Sequence, residues 1–133
     1  MILVILLVLA LFVLQTFLPG LFRQPAGPGD ASGLMEILGN RDRQRPLTVV
    51  GERAARALGN MQEALPVFLA LALLNLIVGT AAATAIAGAW IFLVARVVYL
   101  PVYLAGVPVL RTLIWTGGWV GLLMMLIPLL ERI

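Results

Sequence analysis

The chain contains no cysteine, no histidine and no lysine; all nine basic residues are arginine. Without cysteine there is no disulfide, no thiolate metal site and no cysteine nucleophile. Without histidine there is no imidazole base and no imidazole metal ligand. Charge is scarce as well. Only 11% of residues are charged and 62% are hydrophobic, which is membrane-class composition. The formal net charge of +3 is small and is explained by where the arginines fall, so no nucleic-acid partner is indicated. The 133 residues suffice for four spans with short connections and leave no room for an added soluble domain.

What is present is a series of long apolar runs. Residues 1–18 are broken only by Gln15 and Thr16. At about 1.5 Å per residue such a run spans roughly the apolar thickness of a bilayer. It lacks the basic n-region and small-x-small site of a signal peptide, so it reads as a retained first helix ended by Pro19-Gly20. Residues 19–49 form the long polar loop, rich in proline and glycine and then charged at Gly39-Asn40-Arg41-Asp42-Arg43-Gln44-Arg45-Pro46. That charged run reads equally as a solvated membrane-flanking loop or as a wall over a polar site.

Three further helices follow, at about 50–78, 80–104 and 109–130. In the second, Pro66 leaves the Gln62 carbonyl without its helical partner and favours a bend just past Glu63. Asn75 to Thr80 reads as an uncharged turn at its end. The third opens on small residues, which let helices approach closely in lipid. In the fourth, Gly117-x-x-x-Gly121 marks a candidate packing face. The expected fold is therefore an all-α integral membrane bundle of four transmembrane helices, one domain over 1–133.

The polar groups inside these spans need an explanation. At about 100° per residue, Arg56, Asn60 and Glu63 project within roughly 80° of Arg53. Each charge near mid-bilayer costs on the order of 2.5–3.5 kcal/mol, so the stripe must be paired, wetted or ligand-bound. Glu63 is expected to be ionised and paired with an arginine of the second or third helix. Arg96, Tyr99 and Tyr103 share one face of the third helix, and Arg111 and Thr112 open the fourth. Arg23, Arg41, Arg43, Arg45, Arg53, Arg56, Arg96 and Arg111 gather at one side of the membrane, against Arg132 on the other. By the positive-inside rule that side is cytoplasmic and both termini lie outside, in a bacterial inner membrane. The polar groups of helices two, three and four then meet at one end.

The order Glu52-Arg53-x-x-Arg56-Ala57-x-x-Asn60-x-x-Glu63 then Pro66, followed by Arg96-Val97-x-Tyr99-x-x-x-Tyr103 and Arg111-Thr112, resembles the MAPEG family, the membrane-associated proteins in eicosanoid and glutathione metabolism. Asn40-Arg41-Asp42 is similar to its bacterial branch. The resemblance implies a homotrimer with glutathione as co-substrate near the cytoplasmic side. It implies transferase or peroxidase chemistry on a lipophilic small molecule. Arg53, Arg56, Asn60 and Glu63 would then hold the tripeptide. Arg96, Tyr99 and Tyr103 would line the same pocket, and Arg111 with Thr112 would face the sulfur. The family also includes a protein that binds lipid without catalysis, so a lipid-binding or scaffold role is the alternative.

Plainer readings stand beside these. Arg56 and Glu63 read also as ion pairs that only join helices, and Asn60 as a helix–helix hydrogen bond. Tyr99 and Tyr103 read also as interfacial aromatics, and Trp90, Trp115 and Trp119 as packing or belt residues. A small multidrug-type antiporter is disfavoured, because its carboxylate would sit in the first helix, which here has no acid.

Overall fold

A computed structural model of the protein describes residues 1–25, 45–79 and 82–132. The Asn40-Arg41-Asp42 motif and Arg43 lie outside the described residues. Within them are four α-helices: α1 Ile2–Leu21, α2 Val49–Ile77, α3 Ala83–Ala105 and α4 Pro108–Leu130. All four are long and apolar enough to cross a membrane. The protein is a multi-pass membrane bundle.

The first helix continues past Pro19 to Leu21. Proline deletes one donor but can complete a turn already begun, and the Phe22 amide closes it on the Pro19 carbonyl at 3.3 Å. The chain then returns to the same place. Arg23 and Leu47 form an isolated antiparallel bridge. The Gln24 amide donates to Pro46, and the Thr48 amide and hydroxyl both donate to the Phe22 carbonyl. These bonds cinch the neck of the polar loop against the start of α2.

Thr48 also caps α2, its hydroxyl accepting from the Gly51 amide at 3.2 Å. Glu52 sits in the first turn, where the helix dipole favours a negative charge. Ala54, Ala57, Met61, Ala64, Leu65, Phe68 and Ala72 form the buried face of α2 at helical spacing. Met61, Ala64, Leu65, Phe68 and Ala72 meet Val4 and Val8 of α1 and Ala89, Phe92 and Leu93 of α3 in the main apolar core. Phe68 and Phe92 stack with ring centroids 4.7 Å apart.

The closest helix pair is α3 with α4. It is joined by Gly106 and Val107 alone, and Gly106 has φ +79°, a left-handed conformation that suits glycine. The two backbones touch at Gly88 and Gly121, where a Cβ on Gly121 would lie 2.6 Å from the Gly88 carbonyl oxygen. Of the glycine pair marked in the sequence, only Gly121 serves this crossing. Gly117 has open space beside it, and the buried neighbour is Gly118, against Arg96. Asn75 likewise departs from the turn reading. It is helical and buried, and its amide donates to the Leu71 and Met125 carbonyls at 2.8 and 2.9 Å, tying α2 to α4.

Candidate functional site

The C-terminal half of α3 and the first turns of α4 face the N-terminal half of α2. Between them lies an open cleft of about 230 Å³ lined by Asn60, Tyr99, Tyr103, Arg111, Thr112 and Trp115. Each wall has a local cause. Tyr99 and Tyr103 are one helical turn apart on α3, with ring centroids 5.2 Å apart, and both pack on Ala57 of α2. The small alanine leaves room for the two phenols. On α4, Arg111 lies with its guanidinium carbon 4.8 Å from the centre of the Tyr103 ring, a cation–π contact. It has no hydrogen-bond or ion-pair partner among the described residues. Thr112 donates back to the Pro108 carbonyl at 3.1 Å, which leaves its oxygen lone pairs free to accept. Asn60 donates to the Arg56 carbonyl at 3.1 Å, leaving its amide oxygen available.

The remaining residues expected at the site take other places. Arg53 does not line the cleft; its Nη1 donates to the Leu104 carbonyl at 2.9 Å, at the end of α3. Arg56 is exposed and lies 3.7 Å from Glu52, one turn back on its own helix. Glu63 is exposed and has no ion-pair partner within the subunit among the described residues, so the expected pairing with an arginine is absent from a single bundle. It lies within electrostatic reach of Tyr99, as do Arg96 and Arg111.

Arg96 is the anomaly. It is 2% exposed, the largest fully buried side chain of the bundle. None of its guanidinium nitrogens has a hydrogen-bond partner among the described residues. The rings of Phe92 and Tyr99 lie 5.0 and 5.8 Å from its central carbon and supply its main electrostatic compensation. A buried charge without a carboxylate is costly, and this one sits directly behind a tyrosine of the cleft.

Trp115, read from the sequence as a packing or belt residue, lines the cleft. Its spacing of one turn from Arg111 is the signal that places it on the same face of α4.

The cleft therefore combines a free cation, two phenols, an amide and a hydroxyl at one end of an otherwise apolar bundle. These residues were the ones that carried the family resemblance, and the MAPEG family model matches residues 1–130. The chain belongs to the MAPEG family. No curated protein and no solved structure matches it. Membership of MAPEG accounts for four membrane helices and supports a membrane role of the glutathione-related kind in general. Among the described residues no cluster of acids could hold a metal ion.

Proposed function

We propose that the protein is a membrane glutathione-dependent transferase or peroxidase acting on lipophilic electrophiles, and that Arg111 stabilises the thiolate. The observation that carries this is the unpaired Arg111 guanidinium in the cleft with Tyr99, Tyr103, Asn60 and Thr112. The donor set suits glutathione, whose carboxylates and thiolate are anionic. Asn60 and the tyrosines offer neutral hydrogen-bond partners. Arg56 and Glu63, on the outer edge of α2, offer one charge of each sign for its termini. Arg96 behind Tyr99 raises the positive potential of the cleft.

When bound, glutathione supplies the nucleophilic sulfur. A free thiol has a pKa near 8.5 and is mostly protonated at neutral pH, whereas the thiolate is the nucleophile. No histidine or cysteine can take that proton. The available lever is a fixed cation. A charge pair about 4 Å apart at an effective dielectric near 20 is worth roughly 4 kcal/mol, of which desolvation removes a part. Arg111 provides that cation, and the Thr112 hydroxyl beside it can donate to the thiolate by turning away from the Pro108 carbonyl.

The cleft is open along one side, so we further propose a homotrimer in which a neighbouring subunit closes it. The arginine distribution supports a cleft on the cytoplasmic side of a bacterial inner membrane.

Equilibrium dialysis of the detergent-solubilised protein with labelled glutathione tests binding directly. Arg111→Ala is expected to keep most of that binding and to lose most conjugation of chlorodinitrobenzene. The ultraviolet thiolate band of the complex should shrink in parallel at neutral pH. Unchanged turnover in Arg111→Ala removes Arg111 from the chemistry. A wild-type protein with no thiolate band favours lipid binding without catalysis.

A further inference from the structure

The hairpin between α3 and α4 has an end that is only partly satisfied by its own backbone. Gly106 donates to Tyr103, and Val107 reaches back to Val102 at 3.4 Å, the paired bonds of a Schellman turn. These bonds use the carbonyls of Val102 and Tyr103. The next carbonyl, that of Leu104, is taken by Arg53 from the first turns of α2, through Nη1 at 2.9 Å. The same guanidinium lies flat against Gly106. A Cβ at that position would fall 2.6 Å from its Cζ and Nη1 and 2.7 Å from its Nη2. Two separate features thus meet at one contact: an orphan helix-end carbonyl and a glycine that a larger residue would push off the arginine.

We propose that Arg53 is a positioning residue for the cleft rather than a ligand contact. It fixes the direction in which α4 leaves the turn. Gly106 and Val107 are the whole connection, Pro108 begins α4, and Arg111, Thr112 and Trp115 follow within its first turns. The far wall of the cleft, Asn60, stands on the same helix as Arg53. Arg53 therefore sets the distance between the two walls by joining the base of one to the turn that starts the other. A planar, permanently charged fork suits this task, because it can bond a carbonyl and stack on a peptide at once.

The proposal rests on the glutathione reading only for its binding arm, so the test has a second arm that does not need it. In a Trp90→Phe/Trp119→Phe background, Trp115 is the sole tryptophan and reports on the cleft. Arg53→Gln and Gly106→Ala should shift its emission maximum and its acrylamide quenching in the same direction. Gly106→Ala also strains the left-handed turn, so the double variant is compared with Gly106→Ala alone and should add nothing to its Trp115 shift, since the Arg53 contact is already broken. Glutathione affinity should fall about tenfold in each, although Gly106→Ala changes no charged or polar side chain. If Arg53→Gln weakens binding while Gly106→Ala does not and Trp115 is unmoved, Arg53 is a direct ligand contact and the proposal is overturned. Trp115 unmoved in both variants overturns it equally. Should wild type bind no glutathione, the functional reading fails and the Trp115 arm still decides this one. If Arg53→Gln does not fold, Arg53→Lys takes its place. An ammonium can reach the Leu104 carbonyl but cannot lie flat on Gly106, so a smaller shift is expected and no shift overturns the proposal.

Discussion

At the scale of single residues, Arg96 is the side chain whose presence stability does not explain. A fully buried guanidinium with no hydrogen-bond partner among the described residues is a net cost to the fold, offset in part by the Phe92 and Tyr99 rings. Replacing even a paired set of buried charges with apolar side chains of similar volume is often neutral or stabilising by about 1–4 kcal/mol, and a lone buried charge has less to lose. Arg96→Met is therefore expected to raise the thermal midpoint of the detergent-solubilised protein by a few degrees, roughly what such a gain delivers. It should at the same time weaken anion binding in the cleft, because the positive potential behind Tyr99 is lost. Circular-dichroism melting and equilibrium dialysis on one preparation read both effects. A variant that melts earlier than wild type would mean that Arg96 is compensated and serves the fold. The cleft tyrosines have no such tension: both are buried against Ala57 and keep an open side.

At the scale of helices, packing is decided by where the backbone can come close. Gly88 and Gly121 share the tightest approach of α3 to α4, and each would drive a Cβ into the other's carbonyl. Gly121→Ala should destabilise the bundle by about 1–3 kcal/mol, the usual cost of overpacking a tight contact. Gly117→Ala should be neutral or stabilising by up to about 1 kcal/mol, since alanine favours helix and nothing lies beside it. Thermal melts of the two variants side by side check this. Equal losses would place Gly117 in a contact that a single bundle does not contain. The number, order and apolar character of the helices were legible in the sequence because long apolar runs have few alternatives in a membrane. The face of α4 was harder to read. Gly117, Gly118 and Gly121 all satisfy a small-residue pattern, and only the three-dimensional register picks the last two. Asn75 was misread for a related reason. A polar residue near a run's end resembles a turn, and its bond to the Met125 carbonyl joins residues distant in sequence. The cleft was legible in its members Asn60, Tyr99, Tyr103, Arg111 and Thr112. The engagement of Arg53 with Leu104 was hidden, because helical phase alone puts it on the same stripe as Arg56 and Asn60.

At the scale of the whole molecule, the described helices of a single bundle leave some polar groups exposed. Glu63 is exposed on α2, just before the apolar stretch Ala64-Leu65-Pro66-Val67-Phe68, and finds no cation in its own subunit among the described residues. An acid facing lipid near mid-bilayer would cost on the order of 2.5–3.5 kcal/mol per chain. The cleft also opens outward, with Thr112 and Trp115 exposed at its edge. Glu63 stands about one helical turn from Asn60 of the cleft, so one neighbour could cover both. A ring of identical subunits would repeat that cover without leaving a free end; the family resemblance, not the geometry, implies three chains. Light scattering corrected for bound detergent should return a trimer. Glu63→Gln should shift that trimer toward smaller species or lower its ligand affinity. Glu52→Gln should do neither, because Glu52 is solvent-facing and engages only Arg56 one turn along its own helix. A monodisperse monomer that still binds ligand would sink the trimer. Equal responses of the two glutamate variants would remove Glu63 from the subunit contact, and the open side of the cleft would then face lipid rather than a second copy of the chain.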